Sequence, residues 1–390
     1  MVSVATDSNR AETPRAAPRV VALDTIRGFA IVAMIVAHAI PFTAGVTPGF
    51  VLAGEALLND VASPLFALVI GATIALNTRS ERYGRRGRNR SRFRLETAIK
   101  AFVLIAIGLA LDLGYSGVAV VLDFLGATLL VALPFLFMSI RGLLVTIGVL
   151  CAAGPPVIEW ARGLATATPA LVYPPTPFTI ALDWLALGTS YRVVSLLPLL
   201  LLGIVLGRWA LGHTRRTATV AVIGLVVFAA SIPWRELAVA ADTYTSGSYP
   251  DLLRDLGLSL IAFGALSLVV DATRGGWRQA ARIVLLPVTA QGRMALSIYV
   301  LQVVALMLIW ASPITASGSE WVGTWRGWLL TVALLAGCAA FAIAWSRTLG
   351  AGPLERIVSV VALRHPVDFL WSRRDRERDA PDRALRSSHG

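Results

Sequence analysis

Apolar stretches of span length recur along almost the whole chain, from Val20 to Trp345, and arginine-bearing segments punctuate them. About 20 consecutive apolar residues cross a ~30 Å hydrocarbon core as one helix. In lipid the backbone must satisfy its own hydrogen bonds, and runs this long do so as helices. With 56% of 390 residues hydrophobic and 15% charged, a soluble globular domain is excluded. A net charge of +12 would suggest nucleic acid for a soluble protein. Here the arginines gather in short loops and tails between apolar runs, which is a topology signature, so no nucleic-acid partner is expected. Lys100 is the only lysine. Cys151 and Cys338 stand alone in apolar runs and give no disulfide framework, no CxxC and no metal spacing.

The expected fold class is all-α, a polytopic membrane helix bundle of about ten transmembrane helices with both termini cytoplasmic. The spans are expected over Val20 to Phe42, Val61 to Asn77, Thr97 to Gly114, Val118 to Phe137, Gly142 to Ile158, Val193 to Trp209, Thr217 to Trp234, Leu256 to Val270, Met294 to Trp310 and Trp328 to Trp345. Residues 1–19 read as a disordered cytoplasmic tail, 20–363 as the transmembrane domain and 364–390 as a basic cytoplasmic tail. Eight arginines between Arg79 and Arg94 mark a cytoplasmic loop, by plain positive-inside anchoring or as a landing site for the phosphates of an acyl-CoA. Thr43 to Asn59 is expected to rest on the outer membrane surface. The second span would then open at Asp60, with Pro64 tolerated in its first turn. Asp60, Asp112 and Asp123 read either as an acidic outer vestibule or as interfacial aspartates facing water. The stretch Ala161 to Tyr191 is long enough to be a functional lid or docking surface. Ile283 to Val288 reads as a re-entrant or interfacial piece, and Gln302 as a hydrogen bond across helices. Pro353 to Val361 reads as an interfacial amphipathic helix with Glu355 and Arg356 outward. A multi-pass cell-membrane location and the bilayer as partner follow, with a homo-oligomer left open.

The first span carries three ionisable residues that an ordinary span avoids. At about 100° per residue, Arg27 falls at roughly −60° and His38 at about −40° from Asp24, so the three share one stripe. Arg27 and His38 are ~16 Å apart along the axis, roughly half the hydrocarbon core. An intramembrane ionisable residue needs a protein or water partner and points to function. The plainer reading is an interfacial Asp24/Arg27 pair and a packed, hydrogen-bonded His38.

LDTIRG followed by a span that ends in His38 resembles the opening helix of the membrane acyltransferase superfamily. In type 3 acyltransferases an Arg starts this helix and a His follows eleven positions later, as Arg27 and His38 do. The opening also resembles the heparan-alpha-glucosaminide N-acetyltransferase branch, as does Asp60-Val-Ala-Ser-Pro64-Leu-Phe66 ahead of Gly71. GRMALSIYVLQ (Gly292 to Gln302) and GPLE (Gly352 to Glu355) resemble the YeiB-like family. There are departures. The glucosaminide branch has an Asn where His38 stands and a working His in the first outer loop, whereas Thr43 to Asn59 contains none. The type 3 pattern leads into its third helix with an arginine signature ending in Pro, and RFRLETAIKAF has no Pro.

The resemblance implies acyl-CoA as donor substrate, no metal, and an extracytoplasmic sugar, glycan or lipid-linked acceptor. On this reading Asp24 and Arg27 receive the acyl-CoA, and His38 is the catalytic base or a transient acyl carrier. Asp60 would approach His38 and orient it. The alternative is a transporter or flippase using the same buried charges, and a third is a scaffold in which the stripe only packs.

Overall fold

The structure is a computed structural model that describes residues 18–79, 87–272, 278–315 and 319–362. Among the described residues every regular element is helical. The helices are α1 (Pro18–Thr43), α2 (Gly49–Arg79), α3 (Gly87–Asp112), α4 (Leu122–Ala132), α5 (Ile140–Ala167), α6 (Pro177–Leu182), α7 (Val193–Trp209), α8 (Thr214–Ala240), α9 (Tyr249–Ala272), α10 (Arg278–Arg293), α11 (Ala295–Trp310), α12 (Trp325–Thr348) and α13 (Pro353–Val361). Most of the tails expected at 1–19 and 364–390, and residues 80–86 of the arginine loop, lie outside the described residues.

By length and composition α1, α2, α5, α8, α9 and α12 can each cross a membrane. The pair α10–α11, bent by 91° at its break, would make a seventh span. Among the described residues the structure thus supports six or seven spans where the sequence suggested about ten. Helix α4 has only 11 residues and α7 only 17, and α3 starts among arginines. The protein is a multi-pass membrane protein.

Helices α1 and α2 are the inner pair. Their apolar windows are 67% and 72% buried, against 17% to 22% for α5, α8 and α12. The outer helices present Val145 and Val149, Val222 and Val226, and Leu329 and Val332 to the surroundings, which in a bundle of this composition are lipid. Glycines let the inner helices touch. A Cβ on Gly71 would sit 1.9 Å from the Leu200 carbonyl oxygen, and one on Gly203 1.9 Å from that of Leu68, so α2 and α7 cross backbone to backbone. Gly28 and Gly292 do the same for α1 and α10.

Helix α2 corrects the sequence reading. It begins at Gly49 rather than Asp60, so the expected surface segment is largely its first three turns and Pro64 lies inside it. Proline is tolerated in buried membrane helices because neighbours satisfy the freed backbone groups. Helix α5 likewise runs on through Pro155 and Pro156 to Ala167.

Candidate functional site

Asp24 and Arg27 lie one turn apart on α1, and their side chains meet at 3.1 Å. Arg27 Nη1 also donates to the Gly292 carbonyl at 3.1 Å, and Nη2 donates to Thr73 Oγ1 at 2.9 Å. One guanidinium therefore ties α1, α2 and α10 together, using three of its five N–H donors. Asp24 also lies 3.9 Å from Arg293.

The tie falls at the 91° break between α10 and α11. A helix end leaves carbonyls without partners and a helix start leaves N–H groups without partners. Arg27 takes the Gly292 carbonyl of the ending helix. Glu355 of α13 takes the starting one: its carboxylate accepts from Leu296 N at 2.8 Å and Ser297 N at 3.1 Å, and bonds the Ser297 hydroxyl. Ser297 Oγ in turn accepts from Leu354 N at 3.1 Å. A cation at a helix C-terminus and an anion at an N-terminus are both favoured by the helix dipole. The outward placement expected for Glu355 is thus corrected, because the capping demand of α11 turns it inward. GRMALSIYVLQ and GPLE, far apart in sequence, form one device. Beside the break a mostly apolar cavity of about 350 Å³ opens, with Arg27, Phe66, Thr73, Lys100, Tyr299 and Glu355 on its wall.

His38 lines a different cavity of about 480 Å³, together with Asp60, Tyr191, Arg192, Asp251 and Asp255. The imidazole is 8% exposed and its Nδ1 has no hydrogen-bond partner. Asp60 shares this wall, but its carboxylate accepts from Arg254 Nε at 2.5 Å, so its ion pair is with α9. Asp251 accepts from the Tyr244 hydroxyl at 2.9 Å and from Gly247 N at 2.6 Å. Arg192 is turned into the protein, donating to the carbonyls of Gly188 and Thr189, each at 2.5 Å, and to Ser246 Oγ at 3.0 Å. Burial, and then the charge of Arg162, push its guanidinium down to about 10, which leaves it a cation at neutral pH. Pro41 lies inside α1 and Pro64 inside α2. Neither has an N–H, so the carbonyls four residues back, of Ala37 and Asp60, lose their helical partner. Both of those residues line the cavity.

The charged stripe of α1 therefore serves two cavities rather than one. The partition is thin. On α2, Ser63 lines the His38 cavity and Phe66 the Arg27 cavity, ~4.5 Å of helix rise apart. In the segment before α4, Val118 and Ala119 line the first and Val121 the second. Val121 N donates to the Tyr299 hydroxyl at 3.0 Å and fixes that side of the wall.

Asp112 and Asp123 do not join Asp60. They line a third cavity of about 240 Å³ whose further carboxylate is Asp183, and Trp184 Nε1 donates to Asp123 Oδ2 at 2.7 Å. The expected vestibule is corrected accordingly, since the ion pair with Arg254 holds Asp60 at another wall. Gln302 is fully buried with both amide atoms unpartnered, so the expected bond across helices is not made. Among the described residues no group of three or more His, Cys, Asp or Glu side chains is placed to hold a metal ion.

Sequence reasoning missed Thr73, Lys100 and Asp255 as wall residues, and Arg254 as the partner of Asp60. One signal was present: Asp251 and Asp255 stand at i,i+4 spacing, which puts both on one face of a helix. The expected span began at Leu256, which left both outside it, whereas α9 begins at Tyr249.

Residues 19–232, more than half of the chain, match the family model of the heparan-alpha-glucosaminide N-acetyltransferase catalytic domain. Residues 203–364 match a family described as protein of unknown function (DUF418). No curated protein matches the chain. Both cavities take walls from each matched region: Arg27 and Glu355 line one, His38 and Asp255 the other.

Proposed function

The chain belongs to the heparan-alpha-glucosaminide N-acetyltransferase catalytic family, and from that premise we propose that it carries an acetyl or short acyl group from cytoplasmic acyl-CoA to an extracytoplasmic amine or hydroxyl, of the glucosaminide kind. The observation that carries this reading is the pair of cavities that abut across one turn of α2, with Arg27 on one wall and His38 on the other. The donor's pantetheine arm lies in the apolar cavity, and the phosphates stay at its mouth near Arg27 and Lys100. The acceptor occupies the polar cavity. The turn from Asp60 to Pro64, which lacks one backbone hydrogen bond, is the part of the partition best able to yield.

With donor and acceptor meeting there, His38 takes a proton from the acceptor nitrogen or oxygen as that atom attacks the thioester carbonyl. The tetrahedral intermediate collapses, the C–S bond breaks, and His38 returns the proton to the departing thiolate. Asp60, paired with Arg254, shapes the acceptor wall rather than relaying charge to His38.

The transporter reading gains one observation, the broken α10–α11 pair, because such breaks build substrate sites in transporters. Here both ends of the break are occupied by Arg27 and Glu355. The experiment is acetyl-CoA turnover with glucosamine by the purified full chain in nanodiscs. His38→Ala is expected to lower kcat about 100-fold, the usual scale for losing a general base. Turnover unchanged in that variant removes His38 from the chemistry, and glucosamine flux without acetyl-CoA dependence favours transport.

A further inference from the structure

Helix α12 is long and apolar enough to span, and it ends at Thr348. Leu349 N and Gly350 N both return to the Trp345 carbonyl, and Gly350 takes a φ of 85°. A glycine in this conformation is a common helix stop. Trp345 Nε1 donates to the Ala351 carbonyl at 2.9 Å and fixes the turn. Tryptophan at a span end marks the membrane–water boundary. The turn therefore delivers α13 to that boundary.

One face of α13 is locked inward. Glu355 caps α11 through Leu296 N and Ser297 N. A Cβ on Gly352 would lie 2.6 Å from Met294 Cβ and 2.7 Å from Ser297 Oγ, so the approach leaves no room for a side chain. The helix packs on both α11 and α3. Leu296 and Tyr299 of α11 line the Arg27 cavity, and so do Thr97 and Lys100 of α3. Helix α13 thus bridges two walls of that cavity and adds Glu355 to it. The other face is bare. The most exposed residues of α13 are Ile357, 44% exposed, and Val361, 47% exposed. At i,i+4 they form one apolar edge. Ile357 points ~200° away from Glu355 around the helix. An apolar edge on a helix held at the boundary fits the junction of headgroups and acyl chains, where such helices sink ~5–10 Å. Arg356 beside the edge suits the lipid phosphates.

We propose that the Ile357–Val361 edge docks on the phospholipid headgroup layer, and that this seating holds Glu355 in place, so that the bilayer surface sets how tightly the Arg27 cavity grips its ligand. That the ligand is an acyl-CoA rests on the acyl-transfer reading; the docking does not. With the edge in lipid, α13 cannot lift without exposing two aliphatic side chains to water. Once lifted, it withdraws Glu355 from the start of α11 and breaks the bridge to α3. The cavity then slackens at the end where the donor phosphates sit.

The test uses the full chain in phospholipid nanodiscs, with Cys151 and Cys338 replaced by Ala. A spin label on Val361→Cys is expected to collide more with oxygen than with a water-soluble nickel chelate. Ile357→Asp is expected to weaken acetyl-CoA binding about tenfold, the scale of one aliphatic side chain leaving an apolar contact. Ile357→Leu should bind as the parent does. A label that meets the chelate freely, or parent-level binding in folded Ile357→Asp, overturns the proposal. If Ile357→Asp does not fold, the label decides. Should the parent bind no acetyl-CoA, the donor assignment falls and melting decides the clasp. Ile357→Asp must then lower the thermal midpoint, and must lower it no further once Glu355→Gln is present, because both act through one cap. Additive losses would overturn it.

Discussion

Arg27 and His38 sit on one stripe of α1, yet their side chains do different work. Arg27 is a tie between three helices as well as a cavity wall, so Arg27→Ala should harm stability and donor binding together. Glu355 allows a cleaner experiment. Glu355→Gln keeps the size but loses the charge that accepts from Leu296 N and Ser297 N. Hydrogen bonds to charged groups contribute ~1.5–3 kcal/mol each, so the thermal midpoint should fall by several degrees, and donor affinity should fall with it because Glu355 also lines the Arg27 cavity. A thermal melt and acyl-CoA binding isotherm matching those of the parent would show that the cap carries neither. At this scale the sequence revealed the local pairs and missed the distant ones. Asp24 and Arg27 were legible as an i,i+3 pair because the helix itself brings them together. The partner of Asp60 was not legible, since Arg254 is 194 residues away and only the packing of α9 on α2 delivers it. Glu355 was misjudged for the same reason: the demand it answers belongs to a helix start 59 residues earlier.

Among the elements, the crossing of α1 and α10 sets where the Arg27 cavity can open. A Cβ on Gly292 would lie 1.7 Å from the Asp24 carbonyl oxygen and one on Gly28 1.8 Å from that of Val288. Gly292→Leu is therefore expected to cost about 3 kcal/mol or more, as overpacking does when backbone must move. Gly337→Leu, on the open face of α12 with nothing within 4 Å, should leave the melting curve nearly unchanged. Similar losses at the two positions would mean the crossing is not as tight as described. The sequence located most helices by their apolar runs but misplaced several ends. Thr43 to Asn59 was expected to rest on the outer surface, yet α2 starts at Gly49 and runs on through Gly54 and Asn59. The short run Ile283 to Val288, expected as a re-entrant or interfacial piece, lies within α10, which a 91° break separates from α11.

For the whole molecule, the account depends on two chambers facing opposite ends of an inner helix pair. One is apolar and edged by Arg27, Lys100 and Glu355; the other is polar, acidic and holds His38. A membrane helix bundle was legible from composition, but which helices lie inside it and its division into two chambers were not, since the buried α1 and α2 are no more apolar than the exposed α5. A helical wheel places residues on a face without saying what covers each turn of it. The most direct measurement is sided transfer in proteoliposomes, with labelled acetyl-CoA supplied only on the face nearer Arg27 and glucosamine enclosed on the other. The account predicts labelled product in the acceptor compartment with the parent chain, and about 100-fold less with His38→Ala. Product formed only when both substrates share one compartment, or formed equally by the variant, would contradict it.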